Sequence, residues 1–279
     1  MTPKELRSIA SLLDDPDEAV AVSAMAELLD REEELGDLPG ELQDRPDPLL
    51  RRRVHQLQAA LTLRYRRRNY LARISDPASD LAEKLAALHQ LWYDNDSLTQ
   101  LLDDLHALHR RCDLPENCTL EEIADCMRHE SFTSDAESSL RPENFCIGVV
   151  LNEKHGSGSV LSLLAAYLSG RNDLEFVNCG RSIMLSDGRK VLLPAPEWPV
   201  ADRSELQQGS LSVWNAAQVL KYAARMLFSC AVNSDSFRYV YTIGESVSGL
   251  PGDEIMDYFP YPFYPDGGDD ENDGEKLEK

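Results

Sequence analysis

NFCIGVVLNEKHGSGSVLSL, residues 144–163, is the stretch on which the reading of this chain turns. Phe145 to Glu153 has the pattern of a helix and Gly156-Ser157-Gly158-Ser159 that of a turn. Val160 to Leu168 is an apolar helix, and Gly170 suits its C-terminal end. Short strand-like segments follow at Leu174 to Val177, Ser182 to Leu185 and Lys190 to Leu193, with Ser186-Asp187-Gly188-Arg189 as a hairpin turn between the last two. Ser212 to Val232 is mostly apolar and reads as one buried helix, and Phe237 to Ile243 alternates like a strand. Beyond it, Tyr258 to Pro265 is an aromatic and proline run suited to extended backbone that wraps over its own domain or docks on a partner. Pro265 to Lys279 carries seven acids and two lysines, a composition that predicts a disordered tail.

Upstream of residue 130 the chain reads as helix after helix. Apolar residues recur at steps of three and four, as in Leu6, Ile9, Leu12, Leu13 and in Leu81, Leu85, Leu88, Leu91, Trp92. Asp/Pro turns punctuate them, and Pro16, Pro46 and Pro77 stand about 30 residues apart, which suggests HEAT-like helical hairpins that stack to bury their apolar faces. Ser131 to Pro142 turns polar and reads as a connection. The expected fold is therefore α+β, with an all-helical repeat domain over 1–130, a domain with a short antiparallel sheet over 142–264, and the acidic tail over 265–279.

The chain has 279 residues, with 28 Lys and Arg against 49 Asp and Glu, a net charge of −21. Such a charge repels phosphate backbones and anionic lipid, so neither nucleic acid nor membrane is an expected partner. Arg51, Arg52, Arg53, Arg64, Arg66, Arg67, Arg68 and Arg73, with Tyr65 and Tyr70 among them, follow helical spacing. They are read as the solvated back of an amphipathic helix, with protein docking as the second reading. The opening Met1-Thr2-Pro3-Lys4-Glu5-Leu6-Arg7 lacks the apolar core of a signal peptide, and no run of about 18 apolar residues occurs, which predicts a cytoplasmic chain. The six cysteines are then expected as reduced thiols.

The order of an Asn-led helix, a basic-Gly turn and a Ser/Leu-rich helix, followed by Gly180-Arg181 and Pro194-Ala195-Pro196, resembles the SirB-type transglutaminase-like family. The resemblance spans the chain to about residue 230. It implies a helical-repeat domain ahead of a papain-like core. A working site of this type needs a thiolate at a helix start, with a His and an Asp on the following strands. Carried over position by position, the nucleophile falls on Gly158, the base on Arg181 and the orienting acid on Ala195, and a guanidinium cannot accept a proton near neutral pH. The resemblance thus implies a fold without its catalytic site, binding a protein or peptide in a cleft around Asn144, His155, Gly156, Gly158, Ser159 and Arg181, with no cofactor.

Other residues offer alternatives. Cys146 and Cys179 stand near the vacated positions and His155 is a possible base, so a divergent thiol hydrolase or acyltransferase is the second expectation, against buried inert cysteines and a turn histidine. Ser159 with His155 is a weaker pair, because helical neighbours seldom have the geometry of a triad. His106, His109 and Cys112 at three-residue steps are zinc-type ligands, with Cys118, Cys126 and His129 beyond them, yet the spacing fits no common closed site.

Overall fold

The helices begin where a side chain can satisfy their orphan amides. A computed structural model describes residues 2–43, 46–135, 140–180, 182–206, 211–234 and 237–248. Thr2, Asp17, Asp47 and Asp80 accept backbone N–H bonds at the starts of α1 (Pro3–Ala10), α2 (Glu18–Asp30), α4 (Pro48–Ser75, following the short α3, Leu38–Gln43) and α5 (Leu81–His89). Ser97 and Thr119 do the same for α6 (Leu98–Cys112) and α7 (Leu120–His129). Between Pro46 and Pro77 stands one 28-residue helix where a hairpin repeat calls for two.

Several arginines of α4 are ties rather than a free solvated face. Arg53 donates to the carbonyls of Leu13 and Asp15 at 2.8 and 2.6 Å, and Arg64 to that of Leu29 at 2.6 Å. Arg68 pairs with Glu32, and Arg73 with Glu83 at 2.9 Å. Helix C-termini leave carbonyls without partners, and guanidinium groups fill some of that need here.

The polar stretch expected as a connection instead enters the fold. Phe132 is fully buried, and β1 (Thr133–Asp135) pairs in parallel with β2 (His155–Ser157), Ser134 opposite Gly156. A 3-10 turn over Pro142–Phe145 leads into α8 (Ile147–Glu153), which ends at Lys154 in the left-handed region at φ 59°. Gly156 to Ser159 is therefore no open turn. The strand runs to Ser157 and α9 (Gly158–Ser169) starts at once, the Val160 amide capped by the Ser157 hydroxyl.

Helix α9 is apolar on nearly every face and almost wholly buried, as expected of a helix surrounded by others. It packs against α5, α6, α7, the strand β4 (Ile183–Ser186) and α10 (Ala216–Asn233). The antiparallel sheet has the order β6 (Val200–Asp202), β5 (Lys190–Leu192), β4, β3 (Glu175–Asn178), β7 (Ser212–Trp214). Alternation sorts its side chains. Phe176, Ile183, Leu185 and Leu192 join the main core with α9, while Val177, Met184 and Val191 form a second apolar layer on the opposite face. The hairpin at Ser186 to Arg189 is as expected, whereas β7 occupies the start of the stretch read as one long helix.

Phe237 to Ile243, read as a strand, is the start of helix α11 (Phe237–Ser248). Tyr239, Val240, Ile243 and Val247 lie at steps of one, three and four, and all pack on the main core. That core runs from Tyr70 to Val247, and a separate apolar cluster holds Leu6 to Leu57. The aromatic run at 258–265 and the tail at 265–279 lie outside the described residues. Among the described residues no helix is long and apolar enough to cross a membrane.

Candidate functional site

The parallel pair β1–β2 and the start of α9 gather most of the expected cleft residues. Thr133 N–H donates to the Lys154 carbonyl at 2.9 Å, and its hydroxyl lies 2.9 Å from His155 Nδ1. One residue on, Gly156 is pressed so closely that a Cβ would stand 2.8 Å from Val150 Cγ2 and 3.3 Å from the Asn144 carbonyl. The Ser157 and Ser159 hydroxyls bond each other at 2.9 Å, and Ser157 also accepts from Val160 N–H at 3.3 Å. Asn144, Gly156, Gly158 and Ser159 thus come together, but Asn144 is 3% exposed and Ser159 not at all. What meets solvent at this place is half-buried His155, beside Lys154.

Lys154 has two partners. Its ammonium lies 4.4 Å over the Phe132 ring and 3.5 Å from Glu130, which also holds Arg111 at 3.0 Å. Those cations keep the Glu130 carboxyl below its usual range, Arg111 first and against the opposing effect of partial burial.

The family positions are occupied as follows. Gly158 is the buried first residue of α9, and Ala195, half-buried, accepts from Trp198 N–H at 3.0 Å in the turn after β5. Arg181 lies outside the described residues. The helix carrying Gly158 lies against β4 through a bond from the Ser162 hydroxyl to the Ile183 carbonyl at 2.8 Å.

The two thiol candidates are kept apart. Cys146 precedes α8 and is fully buried in the main core, where burial first, then the neighbouring Cys230, Glu143 and Asp96, push its thiol far up. Cys230 is pushed up to about 12 by burial and Glu143. Cys179 ends the β3 region on the other face of the sheet, half-buried, its Sγ donating to the Ser182 carbonyl at 3.4 Å.

The proposed metal ligands do not assemble. Cys112 is joined in a disulfide to Cys126, Cα atoms 5.9 Å apart, which also corrects the expectation of six reduced thiols. His109 packs its ring 5.5 Å from that of Tyr167, and His106 is exposed on α6. Among the described residues no group of three His, Cys, Asp or Glu side chains is placed to hold a metal ion.

One polar assembly had no mark in the sequence. His89 is buried at the end of α5, where Nδ1 accepts from Gly148 N–H at 3.3 Å and Nε2 lies 2.9 Å from Asp96 Oδ2. With Nδ1 accepting, the proton belongs on Nε2 and is donated to the carboxylate. Burial lowers the pKa of the ring, more than the Asp96 bond raises it. Both ring nitrogens are used, so His89 latches α5 to α8 and has no lone pair left for a base. An apolar run ending in His is the only sequence feature at this spot, and it would serve equally for an exposed histidine.

The chain matches no family model, no curated protein and no solved structure.

Proposed function

We propose that this chain is a non-catalytic protein of the SirB-type transglutaminase-like kind, with a helical region ahead of a papain-like core, and that it binds a protein or peptide. The observation that carries the reading is the start of α9. A transglutaminase-type nucleophile belongs on the first turn of a helix lying across the sheet, where the helix dipole favours a thiolate. Here that turn holds Gly158 and two mutually bonded serines, all buried. No thiol stands at it, and both serine hydroxyls are buried.

The surface offers such a partner a cavity rich in acids. A cavity of about 450 Å³ between the end of α2 and α4 is lined by Asp30, Glu32, Glu33 and Glu34 beside Arg31, Arg64 and Arg68, whose guanidinium groups are already bonded within the chain. Tyr65, 67% exposed, is on the same helix, and such rings are favoured anchors at interfaces.

The competing reading, a thiol hydrolase or acyltransferase, asks for a solvent-facing thiolate at Cys146 or Cys179. Burial works against it at Cys146. Iodoacetamide labelling of the folded protein across pH, with peptide mass spectrometry at each cysteine, decides between the two. The binding-protein reading expects Cys118, Cys146 and Cys230 to stay unlabelled and no cysteine to react fast near about pH 6, well below the ordinary thiol value. Fast labelling of Cys146 or Cys179 at that pH would overturn it.

A further inference from the structure

Helices α6 and α7 are joined by the Cys112–Cys126 disulfide, and a cavity of about 430 Å³ opens against it. Besides the two cysteines, it is lined by Arg111, Leu114, Glu122, Asp125, His129 and Glu130. Both sulfurs belong to half-buried residues, in contrast to Cys118, Cys146 and Cys230, which are sealed in the main core. A space of this size admits a small thiol, and attack on a disulfide sulfur requires that access.

The lining is rich in carboxylates. Glu122, Asp125 and Glu130 stand against Arg111 alone as a fixed cation of the wall, and Arg111 is held by Glu130. Arg128 and Lys154 reach Asp125 and Glu130 from outside the cavity, leaving Glu122, bonded to Thr119 N–H at 2.7 Å, without a cationic partner in the wall. The whole chain adds a net charge of −21, which repels an incoming anion at low salt.

We propose that the Cys112–Cys126 pair is a thiol–disulfide exchange site, and that its reductants are small thiols without net negative charge, of the aminothiol class. In the first step a thiolate RS⁻ attacks one Sγ, the S–S bond breaks, and its electron pair leaves on the other Sγ, which takes up a proton. A second thiol then attacks the mixed disulfide, releasing RSSR and the second protein thiol. Two electrons and two protons pass to the protein, and RSSR returns it to the disulfide by the reverse steps. The reduced state loses the covalent tie between α6 and α7 while keeping the Arg111–Glu130 ion pair across them.

The test uses the intact folded chain. Cysteamine and glutathione are each added in excess at low ionic strength, and reduction is followed by alkylation and mass spectrometry at Cys112 and Cys126. Each rate is divided by that of the same thiol on a small uncharged disulfide, which removes intrinsic reactivity. The expected result is reduction of both cysteines together in the folded protein, with cysteamine favoured about tenfold and the preference shrinking in high salt. Resistance to both thiols until the protein unfolds would overturn the exchange site. Glutathione as fast as cysteamine, or a ratio indifferent to salt, would overturn the selection by charge.

Discussion

Adding one methyl group at Gly148 sets two opposed effects against each other. Gly148 is the second residue of α8, where alanine is favoured over glycine by about 0.5–1 kcal/mol. A Cβ there, however, would stand 2.8 Å from His89 Cε1 and 2.8 Å from Leu101 Cδ2, well inside ordinary carbon contact of about 3.5–4.0 Å. Both neighbours are held. His89 is fixed by Asp96, by the Gly148 amide and by the Tyr93 ring stacked 5.1 Å away, and Leu101 is buried. Overpacking of this kind costs roughly 1–3 kcal/mol, and displacing the imidazole weakens bonds worth about 1 kcal/mol each. The clash outweighs the propensity, and we expect Gly148→Ala to lose about 2 kcal/mol. Urea unfolding followed by circular dichroism should show the midpoint falling by about 0.7 M, for a slope near 3 kcal/mol per molar. Gly40→Ala is the control, since Gly40 lies in α3 with nothing within 4 Å of the added Cβ, and its midpoint should rise. A Gly148→Ala midpoint equal to or above that of the parent would refute the account of the His89 latch as a filled, rigid contact.

Further outcomes follow from the same geometry. The His89 pKa is lowered from 6.5 in the folded chain, so below that pH the unfolded chain binds more protons than the native one, and stability present above about pH 6.5 is lost as the pH falls. Urea midpoints between about pH 7.5 and 5.5 should decline, with the His89 ring titrating below 6.5 by NMR; a ring that titrates above it would contradict the buried neutral form. Trp198→Phe removes the donor that Nε1–H supplies to the Phe132 carbonyl at 2.7 Å, in a fully buried place, and should cost about 1–3 kcal/mol by thermal or urea unfolding. Loss of only a few tenths would mean that the carbonyl finds another partner. Cys112→Ser opens a loop with sequence separation 14 and should destabilise the oxidised protein by about 3 kcal/mol, while matching the reduced parent. Equal stability of the oxidised and reduced parent would sink that expectation.

The helices from Leu81 to His129 were legible because a stripe of leucines with Asp, Ser and Thr caps is a local signal. The Ser186–Arg189 hairpin was legible for the same reason: its turn chemistry sits within four residues. Phe237 to Ile243 misled because seven residues fit a period of 2 and one of 3.6 alike, and Val247, which separates the two, lies past the window. The β1–β2 pair was invisible for a different reason. Thr133 meets His155 at a sequence separation of 22, so the polar composition of the strand shows nothing of its buried neighbour Phe132. The burial of Asn144, Gly156, Gly158 and Ser159 was not legible, since Gly156 is small on account of Val150 and the Asn144 carbonyl, a tertiary fact. Cys112 and Cys126 likewise carry no spacing that separates a disulfide from two free thiols.

Helix α4 belongs to both apolar clusters, contributing Leu50, Val54 and Leu57 to one and Tyr70 and Ile74 to the other. At 1.5 Å per residue, its 28 residues make a beam about 42 Å long. Such a beam is a lever. A load applied to the first sixty residues, by a bound partner or by pulling on the N-terminus, reaches the second cluster as torque at Tyr70, whose hydroxyl bonds the Leu220 carbonyl of α10 at 3.4 Å.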